Sequence, residues 1–111
     1  MTGEELMQSH VARFNEGVRS GDWEPMLARF AGDAELHFEN VPTGPFVGLD
    51  EIRHAYAEQP PDDRIQLLGI QDDERDSRAT AAFAWSRGGT GRLVLEHDRG
   101  AITRLVVIFD E

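Results

Sequence analysis

Tyr56 is the one tyrosine of the chain. Its phenol can donate a hydrogen bond to a ligand oxygen or deliver a proton as a general acid. The alternative is a buried tyrosine whose hydroxyl is bonded to a backbone carbonyl. His10 stands three residues after Met7 and four before Phe14, so at helical spacing it borders an apolar stripe. It is either a core histidine with a bonded ring or a group that touches a ligand. Tyr56 and His10 are therefore the candidate catalytic residues, with no reaction assigned to them. His54 precedes Tyr56 by two residues and, on a helix, points away from it. His37 and Glu39 share a strand face, but a metal needs a third and fourth ligand, so an ion-paired outer face is expected and no metal site.

The remaining polar clusters read as surface. Asp72, Asp73, Glu74 and Asp76 lack the central glycine and terminal glutamate of a calcium loop and read as a solvated hairpin. His97-Asp98 reads as a solvated turn. Gly88-Gly89-Thr90-Gly91 is followed by no helix and no lysine, so it reads as a mobile hairpin and not a phosphate loop. No cofactor is expected. Trp23 and Trp85 read as core or interface residues.

Composition excludes several chemistries. There are 21 acidic and 11 basic residues, for a formal charge of −10, so nucleic acid and anionic membranes are repelled. Every basic residue is arginine, which rules out a Schiff-base or general-base lysine. With no cysteine there is no disulfide, thiolate nucleophile or thiolate-bound zinc. Unbroken apolar runs such as Leu105 to Phe109 are far short of the ~20 residues of a membrane span. The acidic start Met1-Thr2-Gly3-Glu4-Glu5 is unlike a signal peptide, and a cytoplasmic protein is expected. At 111 residues the chain supports one core, read as a single domain over 1–111.

The elements that must position these residues follow from periodicity. Met7, Val11, Phe14 and Val18 form a helical stripe, ended by Gly21, with Asp22 as the next N-cap. Pro25 opens a short helix presenting Met26, Leu27 and Phe30 inward and closing at Ala31-Gly32-Asp33. From Ala34 to Asn40 the chain alternates, with Leu36 and Phe38 on one side. A turn at 41–45 leads to a short Phe46-Val47 strand and a third helix that buries Ile52, Ala55 and Tyr56 and ends at Pro60-Pro61. Strands are expected at about 64–71, 78–86 and 92–110, the last broken by a turn at 97–100.

These pieces resemble the SnoaL-like and ketosteroid-isomerase-like family of the nuclear transport factor 2-like superfamily. The likeness rests on Phe14, Gly21-Asp22, Phe30-Ala31-Gly32-Asp33-Ala34, Gly48-Leu49-Asp50-Glu51-Ile52 and the strand ending in Leu105 to Phe109. It implies an α+β cone, with three N-terminal helices packed on a curved antiparallel sheet that encloses a pocket. It also implies a pocket lined by Phe14, Val18, Phe38, Tyr56, Phe83, Leu105 and Phe109, with Leu93 and Leu95 as further positions. The implied occupant is a small apolar ligand, and the implied activity is isomerase, cyclase or hydratase chemistry. A non-catalytic ligand-binding or dimerisation module is the alternative. Carried over residue by residue, the oxyanion-hole tyrosine and the aspartate base of ketosteroid isomerases correspond here to Phe14 and Phe38. The position of their protonated aspartate falls near Gly91, and only the supporting tyrosine is kept, as Tyr56.

Both sheet faces carry apolar residues: Leu68, Ile70, Ala82, Ala84, Val94, Val106 and Ile108 lie opposite the core-facing set. Three helices cover one side only, so the outer face is expected to pair with a second copy. Light scattering at micromolar concentration should give twice the 12.4 kDa chain mass; a species of one chain mass would overturn the expectation.

Overall fold

A computed structural model describes residues 2–110. The first helix, α1 (Gly3–Ser20), starts on a reciprocal cap. Thr2 Oγ1 accepts the Glu5 N–H at 3.1 Å while the Glu5 carboxylate accepts the Thr2 N–H at 3.0 Å. It ends at Gly21, whose φ of 81° turns the chain left-handed and returns its N–H to the Gly17 carbonyl. The Asp22 carboxylate accepts the Glu24 N–H at 3.1 Å, although Trp23 occupies the capping position. Helix α2 (Glu24–Leu27) is a single turn. It does not run on to Asp33 as the periodicity suggests. The Arg29 carbonyl is already taken by the Ile102 N–H at 2.8 Å, and sheet bonding draws the chain into β1 (Phe30–Glu39).

β2 (Phe46–Val47) and helix α3 (Leu49–Glu58) follow, then β3 (Ile65–Asp73), β4 (Arg78–Trp85), β5 (Thr90–Asp98) and β6 (Ala101–Phe109). The helices are therefore not all N-terminal to the sheet: α3 lies between β2 and β3. The strand order is β2-β1-β6-β5-β4-β3. The sheet is mixed and not purely antiparallel: β6 runs antiparallel to β5 on one side and parallel to β1 on the other.

Irregularities in register decide which side chains face inward. Between Leu67 and Gly69 the β3–β4 ladder slips, leaving Leu68 57% exposed. Beyond the slip the faces reverse. Ile70 pairs with the core-facing Ala81 and packs on the core, not on the outer face as strict alternation predicts. Asp72, opposite the buried Ala79, also turns inward. A second slip near His97 pairs that residue with the fully buried Ile102.

Asp72 and His97 are consequently not the solvated turn residues their surroundings in sequence suggest. They lie beneath the start of α1, where Asp72 Oδ2 accepts the Glu4 N–H at 3.0 Å. Asp72 Oδ1 and His97 Nε2 are sealed without a partner. Both crowd Gly3, where a Cβ would stand 2.5 Å from the first and 3.1 Å from the second.

Helix α1 packs over β3, β4 and β5, and α3 over β1 and β2. A side chain invisible to periodicity fixes the first of these: Asn15 clasps the start of β3, donating to the Ile65 carbonyl and accepting its N–H, each at 2.8 Å. Gly91 of β5 lies between Phe83 and Phe109 in register. A Cβ there would stand 2.5 Å from the Ile108 carbonyl oxygen and 2.6 Å from the Phe83 ring. Gly91→Ala should cost about 2–3 kcal/mol in urea unfolding, whereas Gly32→Ala, which meets nothing within 4 Å, should stay within about 0.5 kcal/mol. Equal effects would refute the close packing.

Candidate functional site

Each helix covers only its own end of the sheet, and between α1, α3 and the inner sheet face lies a cavity of about 170 Å³. His10 and Phe14 reach it from α1, and Ala55 and Tyr56 from α3. The sheet contributes Leu36, Phe38, Phe83, Trp85, Leu93, Leu105, Val107 and Phe109; the chain between elements adds Thr43, Gln59 and Pro61. Phe46 and Ile65 complete the wall.

Of the positions implied by the resemblance, Phe14, Phe38, Tyr56, Phe83, Leu93, Leu105 and Phe109 line this space. Val18 does not. Past Phe14 the flank of α1 is occupied by the Trp23 ring, which packs so closely on Gly17 that a Cβ there would stand 2.3 Å from it. Trp23 also contacts Phe14 and Tyr56, with ring centroids 5.7 and 4.9 Å away. Leu95 is fully buried in the packed core and leaves no surface to the cavity. Trp85, read from sequence as core or interface, is a wall residue. Its ring lies nearly parallel to Phe109 (11°), which is itself stacked on Phe38 (25°).

Polar groups are sparse. No carboxylate lines the cavity among the described residues, and the hydrogen-bonding side chains are His10, Thr43, Tyr56, Gln59 and Trp85. His10 is 2% exposed, and its Nδ1 is sealed with no partner, so any hydrogen bond to the ring must be made at Nε2. Burial lowers its pKa from 6.5 to about 4, and the ring is neutral at neutral pH. Burial likewise pushes the Tyr56 phenol above its ordinary value, keeping it protonated. The Tyr56 hydroxyl takes no part in any hydrogen bond among the described residues, and it belongs to the cavity wall.

The other sequence candidates lie elsewhere. His54 sits on the surface beside Glu58, 3.7 Å away. His37 pairs with Glu35 at 2.8 Å, on the outer sheet face. Among the described residues no group of three or more His, Asp or Glu side chains converges as a metal site would require. Among the described residues no helix is long and apolar enough to cross a membrane.

The sequence matches the family model of the SnoaL-like domain over residues 11–110. No curated protein matches it. Among solved structures, a protein provisionally named a ketosteroid isomerase from Kribbella flavida DSM 17836 superposes with a TM-score of 0.74 at 18% identity, over 100% of this chain and 82% of the other. A provisionally named polyketide cyclase from Pseudomonas putida KT2440 gives 0.75 at 19% identity, over 99% and 92%. An NTF2-like protein of unknown function from Cytophaga hutchinsonii ATCC 33406 gives 0.76 at 13% identity, over 99% and 91%. At these identities the likeness is one of fold, an NTF2-like α+β architecture.

The buried imidazole makes stability depend on pH. Its folded pKa, about 4, is below the 6.5 of the unfolded chain, so the unfolded state takes up the proton first as pH falls. Stability is full above about pH 6.5 and declines by about 3 kcal/mol on the way to pH 4. Urea midpoints measured across this window should fall in the native protein and flatten in His10→Gln; an unchanged slope in the variant would clear His10 of the effect.

Proposed function

Because the chain belongs to the SnoaL-like domain family, we propose that its cavity holds a small, largely apolar molecule oriented by hydrogen bonds to Tyr56 and His10. One observation carries this reading: a largely apolar cavity contains a phenol with no protein partner among the described residues and a neutral imidazole. A dry wall with a few placed polar groups is the general form of a small-molecule site. The cone implied by the family resemblance is, on this reading, the gap that the two helices leave over the sheet.

The protonation states favour holding over proton abstraction. A base works best with a pKa near the operating pH, and His10 at about 4 is a weak one. Tyr56, with its pKa raised, is a reluctant acid. The positions corresponding to the ketosteroid-isomerase tyrosine and aspartate base are Phe14 and Phe38, and proton abstraction by a carboxylate in that manner is not part of this reading. Both groups are suited to donating hydrogen bonds to a carbonyl oxygen. That favours the second reading, in which the protein polarises such a carbonyl as an isomerase or cyclase of the SnoaL-like kind does. Charge developing on that oxygen would then be stabilised by the two fixed donors.

The working unit is a homodimer formed through the outer sheet face. Val94, Val106 and Ile108 are flanked there by Arg92 and Arg104 and by Glu35, Glu39 and Glu96, so a twofold axis can bring opposite signs together.

Native mass spectrometry of gently purified protein should show a small-molecule adduct that denaturation releases. Its absence would count against the binding reading. Turnover of an enone or epoxide that is lost in Tyr56→Phe would select the catalytic reading instead.

A further inference from the structure

We infer that the occupant of the cavity is a neutral aromatic molecule of one ring or two fused rings, carrying a single hydrogen-bonding oxygen. This rests on the reading that the cavity takes a guest at all, and it adds what kind. Size sets the first limit. The space is about 170 Å³, while an apolar cavity of ~150 Å³ is filled by one benzene ring. Sites for drug-sized molecules begin at ~300 Å³. A single ring fits, and a fused pair is the upper limit. A four-ring skeleton does not.

The wall sets the second limit. Trp85, Phe109 and Phe38 form a bank of near-parallel rings on one side, with Phe83 edge-on to Trp85 at 5.1 Å and Phe46 edge-on to Phe38 at 6.3 Å. Flat guests gain offset or edge-to-face contacts against such a surface beyond their simple burial. Gly91 permits this bank: any side chain at that position would displace the Phe83 ring.

Charge sets the third limit. No arginine and no carboxylate lines the cavity among the described residues, and His10 and Tyr56 are both neutral. An ionised guest would lose its hydration with nothing to replace it. An oxygen that accepts from Tyr56 or His10, or a hydroxyl that bonds to either, is accommodated.

The test uses the two indole N–H resonances of the native protein, assigned by the loss of one in Trp85→Phe. Titration with 2-naphthol should move the Trp85 signal more than the Trp23 signal, and saturably. The anion 2-naphthoate should bind at least tenfold more weakly. Tyr56→Phe should weaken 2-naphthol about fivefold, the loss of one hydrogen bond, and leave naphthalene unchanged. A four-ring steroid or 2-naphthoate binding as tightly as 2-naphthol would overturn the ligand class while leaving the cavity reading intact. If no probe, including the steroid and naphthalene, moves the Trp85 signal, the cavity reading fails and the inference falls with it.

Discussion

Two helices have to cover one face of a six-stranded sheet, and they are not wide enough to do it. α1 takes the β3–β5 side and α3 the β1–β2 side. Where neither reaches, the sheet's inward side chains have no helix to pack against. In a close-packed interior such a gap is normally filled by larger side chains. Here the available bulk is aromatic and stands around the gap, while Trp23 closes the flank by touching both Phe14 and Tyr56. The cavity follows from this shortfall in coverage. His10 and Tyr56 reach the same space because each lies on the inner side of its own helix.

Electrostatics inside and outside this space differ in kind. The surface carries a net charge of −10, largely solvated and partly offset by ion pairs such as Arg53 with Glu24. Such exposed pairs contribute little to stability. The cavity contains no formal charge, because burial has moved His10 and Tyr56 away from their charged forms. The acidic exterior bears on which macromolecules are repelled. The neutral interior bears on which small molecules can be accommodated.

Much of this was legible in the chain because it depends on local rules. The stripe of Met7, Val11 and Phe14 announced α1, and alternation placed Phe38, Phe83, Leu105 and Phe109 on the inner face. Local rules do not carry register. Alternation assumes an unbroken ladder, and the slip between Leu67 and Gly69 reversed it, which turned Ile70 and Asp72 inward while Leu68 stayed outside as expected. A bulge is a property of two strands together, and neither strand's sequence declares it. Val18 lies on the α1 stripe as its spacing suggests and packs against the core, but it is not part of the cavity wall; nearby, Trp23 closes on Gly17. Asn15 was missed because a polar residue beside an apolar stripe looks like surface until β3 arrives to be clasped. The parallel pairing of β1 with β6 was equally hidden, since it depends on where a late strand returns.

That return has a temporal side. β1 pairs with β6 on either side of a register break, with Phe30 opposite Ile102 and Leu36 opposite Leu105. During synthesis the first strand emerges from the ribosome long before its central neighbour exists. Until then it has only the two-residue β2 and the helix after it for company. Contacts between segments so distant in sequence close slowly, since the intervening chain must give up its freedom first. A nascent chain cut short before β6 would therefore expose an unpaired edge and half an apolar wall, which is the kind of species that chaperones must shield.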